Sequence, residues 1–125
     1  MTFSISARCA RTGMFGIAVS SSSPAVAARC AHARAGVGVV ATQNITDPTL
    51  GPKGLDLLQQ GLSPEAVMAR FAAEAPHFDY RQVVVLGTDG TAAHHSGAET
   101  LGLHRVVHEP DVAAAGNLLA SEAGP

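Results

Sequence analysis

Apolar and polar residues alternate from the start of the chain. Phe3, Ile5, Ala7 and Cys9 occupy one side; Thr2, Ser4, Ser6 and Arg8 occupy the other. A period of two marks a half-buried strand. Ala10-Arg11-Thr12-Gly13 supplies the turn, with Gly13 free to take positive φ. Phe15, Ile17 and Val19 then resume the alternation against Met14, Gly16, Ala18 and Ser20. With Cys9 and Met14 flanking the loop, counting back sets Thr2 opposite Ser21. The second residue of the chain is thereby placed beside a run of four serines, Ser20, Ser21, Ser22 and Ser23.

Residues 24–34 show no period and read as irregular chain or a short helical piece. Residues 37–44 are apolar on both faces, the pattern of a central strand, and end in the amides Gln43 and Asn44. Turn chemistry follows at 47–52. One helix is expected over 53–60, closed by Gly61. A second has Ser63 as N-cap, Pro64 at its first position, Glu65 in its first turn and a stripe of Ala66, Val67, Phe71 and Ala75. Pro76 ends it. Residues 81–86 read as a strand, Asp89-Gly90 as a hairpin turn, and 91–96 as the antiparallel return. Further strand pieces are expected at 106–107 and 112–115. Gly116-Asn117 reads as a turn into a helix beginning at 118–122, stopped by Gly124-Pro125.

This order predicts a single α+β domain over 1–125, with a sheet and helices on one face. The strands at 37–42 and 83–86 are apolar enough to need cover on both faces. The two helices between residues 53 and 75 cover only one. At ~25 cal/mol per Å2, several hundred Å2 of sheet left in water forfeits on the order of 10 kcal/mol, as much as a whole domain's stability. The sandwich is therefore expected to be incomplete in this chain. The second helical layer would come from residues beyond Pro125 or from a partner, with a homo-oligomer the expected state.

Composition narrows the picture. Apolar residues make up 46% of the 125 positions, yet aromatics are only four Phe and one Tyr. The core must be built from small and β-branched side chains, which suits close sheet packing. Net charge is −2, with one lysine and scattered arginines, so the basic, aromatic-laced surface of a nucleic-acid binder is absent. No apolar run reaches membrane-span length, and no basic flank with an apolar segment opens the chain as a leader would. A soluble, cytoplasmic protein is expected. Cys9 and Cys30 fit no metal or redox spacing; a disulfide between them stays open, with free thiols expected in a cytosolic setting. His32, His77, His94, His95, His104 and His108 match no metal motif and read as surface or satisfied polar positions, although His104 and His108 are evenly spaced for one strand face. No cofactor or metal is implied.

Thr2 is the first candidate for chemistry. An amino-terminal threonine can attack with its hydroxyl and use its own α-amine as base, an amine that ordinarily titrates near ~7.7–8.0. The small Thr2 side chain suits removal of Met1. Ser20 and Ser21 lie beside it in the predicted register. Gln43, Asn44 and Asn117 are amides at strand ends, read either as substrate or oxyanion partners or as plain turn formers. Cys30 with His32 could form a thiolate pair, and Arg34 could bind a carboxylate or pair with Asp47 or Asp56. The serine run fits no Gly-x-Ser-x-Gly elbow.

Several segments together resemble the DUF1028 family: Met1-Thr2-Phe3-Ser4-Ile5, Gly16-Ile17-Ala18-Val19-Ser20, Ser23-Pro24-Ala25-Val26, Ala33-Arg34-Ala35-Gly36-Val37-Gly38, Ala41-Thr42-Gln43, Gly51-Pro52-Lys53-Gly54-Leu55-Asp56-Leu57-Leu58, Arg81-Gln82-Val83, Ser96-Gly97-Ala98 and Ala115-Gly116-Asn117-Leu118-Leu119. The resemblance runs through essentially the whole chain. It implies an αββα sandwich of the Ntn-hydrolase type and hydrolysis of a small amide or peptide-like bond. Thr2 would be the nucleophile and Asn117 an active-site amide. Two departures stand out: such proteins continue past the Gly-Asn-Leu-Leu segment into helices, and no lysine sits early in the chain to assist the nucleophile. A non-catalytic module binding a peptide or amide is the alternative, and a purely structural subunit a third reading.

Overall fold

The structure, a computed structural model, describes residues 1–124. Its elements are β1 (Thr2–Arg8), β2 (Phe15–Ser21), α1 (Ala27–Cys30), β3 (Ala31–Arg34), β4 (Gly38–Gln43), α2 (Leu50–Gln59), α3 (Pro64–Glu74), β5 (Gln82–Gly87), β6 (Ala92–Ser96), β7 (Leu103–Glu109) and β8 (Val112–Leu119). The strands form two antiparallel four-stranded sheets, ordered β2-β1-β8-β7 and β3-β4-β5-β6. This is an α+β architecture.

The first hairpin forms as its sequence dictates. Cys9 N donates to Met14 O at 2.8 Å, Gly13 takes φ +73°, and Thr2 pairs with Ser21. Strands β4 and β5 are buried along their whole length at the centre of the second sheet. One face of that sheet carries α2 and α3. Helix α2 starts earlier than the pattern suggests, because the Asp47 carboxylate accepts from both Thr49 N and Thr49 Oγ1 and turns the chain ahead of Leu50. Pro52 then falls within the first turn, where a missing N–H costs nothing. Gly54 lets the helix close on the sheet: a Cβ there would lie 2.9 Å from Val40 Cγ2 and 3.0 Å from the Phe71 ring. In α3, Ser63 Oγ accepts from Ala66 N at 3.1 Å; Val67 and Phe71 are fully buried, whereas Ala66 faces out.

The other face of the β4-β5 pair is covered by the first sheet of the same chain. Ala41 and Val84 meet Ala113 and Ala115, flanked by Ile17, Ala92 and Val106. These are the small side chains that permit close sheet packing. The expectation that this face needs a helical layer from elsewhere is thus corrected: the opening hairpin, joined by β7 and β8, covers it with a second sheet. The uncovered surface lies one layer further out. In β1 the serines Ser4 and Ser6 point inward and are buried, while Ile5 is 41% exposed. The apolar side of the alternation faces outward.

Two local expectations change. Residues 24–34, read as irregular or a short helical piece, hold both α1 and the edge strand β3. At the other end, Gly116-Asn117 is no turn and residues 118–122 form no helix, since β8 runs through Leu119. Pairing against both β1 and β7 overrides the local helix preference of the Leu-Leu-Ala segment. Instead, Asn117 and Leu118 together face His104, because Leu103 pairs with Leu119 and Arg105 with Gly116. This is a β-bulge, with Leu118 at φ 50°. Of the Gly124-Pro125 stop, Pro125 lies outside the described residues. Cys9 and Cys30 are free thiols.

Candidate functional site

Thr2 shares the inward face of β1 with Ser4 and Ser6, so its side chain enters the end of the space between the sheets. Its register partners are Ser21 on β2 and Asn117 on β8. Thr2 Oγ1 lies 2.9 Å from Ser21 Oγ. Ser21 Oγ accepts from Ser23 N at 3.1 Å and donates to the Met1 carbonyl at 3.1 Å. A hydroxyl has one proton. Ser21 gives its proton to Met1, so Thr2 is the donor in the Thr2–Ser21 pair.

These residues border a cavity of about 170 Å3, lined also by Ser22, Val26, Arg29, Cys30, Asn44, Ile45, Thr46, Leu101 and Leu118. Three of its lining residues, Asn44, Ile45 and Leu118, have φ values of 61°, 49° and 50°. Such conformations cost roughly 1–3 kcal/mol each in non-glycine residues and gather where a fold shapes a site. Asn44 is suited to it. Its Nδ2 donates to Tyr80 O at 2.5 Å and its Oδ1 accepts from Leu101 N at 3.1 Å, so its amide braces the cavity wall. Arg81 Nη1 donates to Ile45 O and fixes the next residue.

Behind Asn117 lies a buried amide network centred on Gln82. Gln82 Oε1 accepts from Gln43 Nε2 at 2.8 Å and from Asn117 Nδ2 at 3.1 Å. Gln82 Nε2 donates to Ser96 Oγ at 3.1 Å and to Gly116 O at 3.0 Å. All four bonding positions of Gln82 are used, which fixes its orientation and, through it, that of Asn117. One Nδ2 hydrogen of Asn117 goes to Gln82; the other has no partner among the described residues. Gln43 Oε1 is buried without a partner.

Of the residues singled out from the sequence, Thr2, Ser21, Asn44 and Asn117 come together at this cavity. Gln43 stands behind Asn117 and does not line it. Ser20 sits opposite Phe3 on the outward face of β2. Cys30 lines the cavity but its partner is Thr46 Oγ1 at 3.6 Å; His32 turns to Arg29 O, so no thiolate pair forms. Arg34 pairs with Asp56 and Gln59. His104 bonds Gly102 O, while His108 meets His94 at 5.4 Å between ring centres. Sequence reasoning missed Arg29, Thr46 and Gln82. Gln82 had a signal: it is the one polar residue opening an apolar strand, in register with Gln43. A larger cavity of about 450 Å3, lined by Glu65, Met68, Phe78, His94, His95 and His108 among others, has no hydroxyl or thiol in its wall. Among the described residues no cluster of three metal-binding side chains occurs, and no helix is long and apolar enough to cross a membrane.

Residues 2–124 match DUF1028, described as a family of unknown function. This chain belongs to the DUF1028 family. The crystal structure of protein SPO2555 from Silicibacter pomeroyi, also assigned to DUF1028, matches this DUF1028 chain with a TM-score of 0.93 and 27% identity. The match takes in 98% of this chain and 57% of that one, so the chain spans little more than half the length of that relative. No curated protein matches.

Proposed function

We propose that this DUF1028 chain carries an amide-hydrolase site of the Ntn type, with Thr2 as nucleophile once Met1 is removed. The two stacked sheets with helices outside the second support the αββα part of this reading. The observation that carries the reading is the placement of the Thr2 hydroxyl, at a strand start inside a cavity, 2.9 Å from Ser21 Oγ and in register with Asn117.

Thr2 Oγ1 attacks the amide carbonyl carbon, and its proton passes to the freed α-amine. Asn117 Nδ2 donates to the oxyanion that develops. Collapse breaks the C–N bond, and the leaving amine takes the proton held by the α-amine. Water, activated by the same amine, then cleaves the acyl-threonine ester, releasing the acid and restoring Thr2. Turnover of a small-amide library by wild type, Thr2→Ser and Thr2→Ala tests this. Thr2→Ala should lose turnover while retaining ligand binding, and Thr2→Ser should keep part of it. Turnover that survives in Thr2→Ala overturns the assignment.

One observation favours a non-catalytic binding module. Lys53, the single lysine, lies on the outer helical layer and pairs with Glu74 at 2.9 Å, so no lysine assists Thr2. A site that binds amides in both wild type and Thr2→Ala, yet turns none over, would establish that reading.

A further inference from the structure

Among the described residues the cavity at Thr2 is lined by hydroxyls, amides and apolar side chains, with Arg29 its single charged side chain. Several other cations have partners: Arg8 with Asp111, Arg34 with Asp56, Lys53 and Arg70 with Glu74. Arg29 has no carboxylate within ion-pair distance among the described residues. Its Nη1 donates to Pro24 O at 2.8 Å and to Ala25 O at 3.5 Å, where Ala25 takes φ 51°. Those carbonyls tie the guanidinium to the loop that follows the serine run, but they do not neutralise it. Nη2 and Nε remain to donate. An arginine fork oriented by backbone and left without a counter-charge is the arrangement that binds a carboxylate through two parallel bonds. No acidic side chain lines the cavity to repel one, although the chain as a whole carries net charge −2.

We infer that the substrates are small amides bearing a carboxylate, of the N-acyl amino acid or dipeptide class, and that Arg29 binds that carboxylate. The inference rests on the reading of this cavity as a substrate site and adds its selectivity. The cavity measures about 170 Å3 with Met1 still part of its wall, below the roughly 300–1,000 Å3 of drug-sized ligand sites, which restricts it to small acids of this kind. Arg29 acts here in binding and takes no part in bond breaking.

The test is a calorimetric titration of the full chain, with Met1 removed, against N-acetylglycine and N-acetylglycinamide. These differ only in carboxylate against neutral amide. Wild type should bind the acid at least about tenfold more tightly, the usual scale for a charge-assisted pair. Arg29→Gln should remove the preference and Arg29→Lys should keep part of it, with thermal melts reporting on folding of both. Equal binding of the two probes, no binding of either, or a preference that persists in folded Arg29→Gln overturns the inference. A parallel turnover assay separates the two claims. Arg29-dependent binding of the acid without cleavage of any amide supports the carboxylate site and sinks the hydrolase reading. Cleavage of amides regardless of charge does the reverse.

Discussion

Asn117 Nδ2 donates to Gln82 Oε1 at 3.1 Å across the gap between the two sheets. Gln82 is thereby the part of the fold that decides which way Asn117 faces Thr2. Replacing it with the similar-sized Gln82→Met leaves Asn117 Nδ2, Gln43 Nε2 and Gly116 O without their partner in the interior. Each unsatisfied group costs about 1–3 kcal/mol, so a loss of roughly 3 kcal/mol or more is expected by urea unfolding. Gln43→Met should behave differently. It removes an acceptor that is already orphaned, while Gln82 Oε1 keeps Asn117 as donor. Its stability should stay within about 1 kcal/mol of wild type. Equal losses for both variants would contradict the central role of Gln82.

Ser21 is expected to matter for turnover more than for stability. Its Oγ is held by Ser23 N and touches Thr2 Oγ1, yet it lies near the surface. Ser21→Ala should lower kcat, but by less than the roughly 10²–10⁴-fold of a group that itself transfers the proton, because Ser21 orients Thr2 Oγ1 while the α-amine takes its proton. The melting temperature should move little. Unchanged kcat would remove Ser21 from the site.

The outward face of the first sheet carries Phe3, Ile5, Val107 and Ala114, with Ile5 41% exposed. An apolar strand face of this kind favours association. The chain should sediment as a species larger than a monomer, and Ile5→Lys combined with Val107→Lys should shift it toward the monomer. A strictly monomeric wild type would contradict this.

His94 on β6 and His108 on β7 bridge the edges of the two sheets. Burial against the cavity wall lowers the His94 pKa from 6.5, and the charges of His108 and His95 lower it further. Glu65 of α3 lines the same cavity. The unfolded imidazole therefore takes a proton more readily than the folded one. The contribution is fully present above the unfolded value of 6.5 and is lost as pH falls through the lowered folded value. Much of the ring is open to solvent, so the effect is small. Urea midpoints should be lower at about pH 5 than at about pH 7.5, and His108→Gln should narrow the difference. A difference left unchanged in His108→Gln would exclude the pair as its source.

The parts of the fold carried by local pattern were legible in sequence. The Thr2–Ser21 register followed from strict alternation and a turn closed by Gly13. The α3 cap followed from Ser63 and Pro64. What failed was decided by distant pairing. Gly116-Asn117 has turn residues, but two neighbouring strands hold it extended and use it for a bulge. The inward direction of Ser4 and Ser6 depends on a second sheet that alternation alone does not reveal. Arg29 and Thr46 reach the cavity from segments without a period, so no spacing pointed to them, and Cys30 was singled out only for a pairing with His32 that does not form. Thr2 and Ser21 were visible as neighbours because they sit on one hairpin, whereas Asn44 and Asn117 were visible only as amides at strand ends, with nothing to bring them to the same cavity. The rest is assembled from positions far apart in the chain.

The most direct test is peptide mass mapping of protein purified from its natural host, before and after brief exposure to an activated acyl ester. The expected result is an amino terminus at Thr2 and an acyl group on Thr2, absent from Thr2→Ala. Met1 intact on every molecule, or acylation that spares Thr2, would contradict Thr2 as nucleophile.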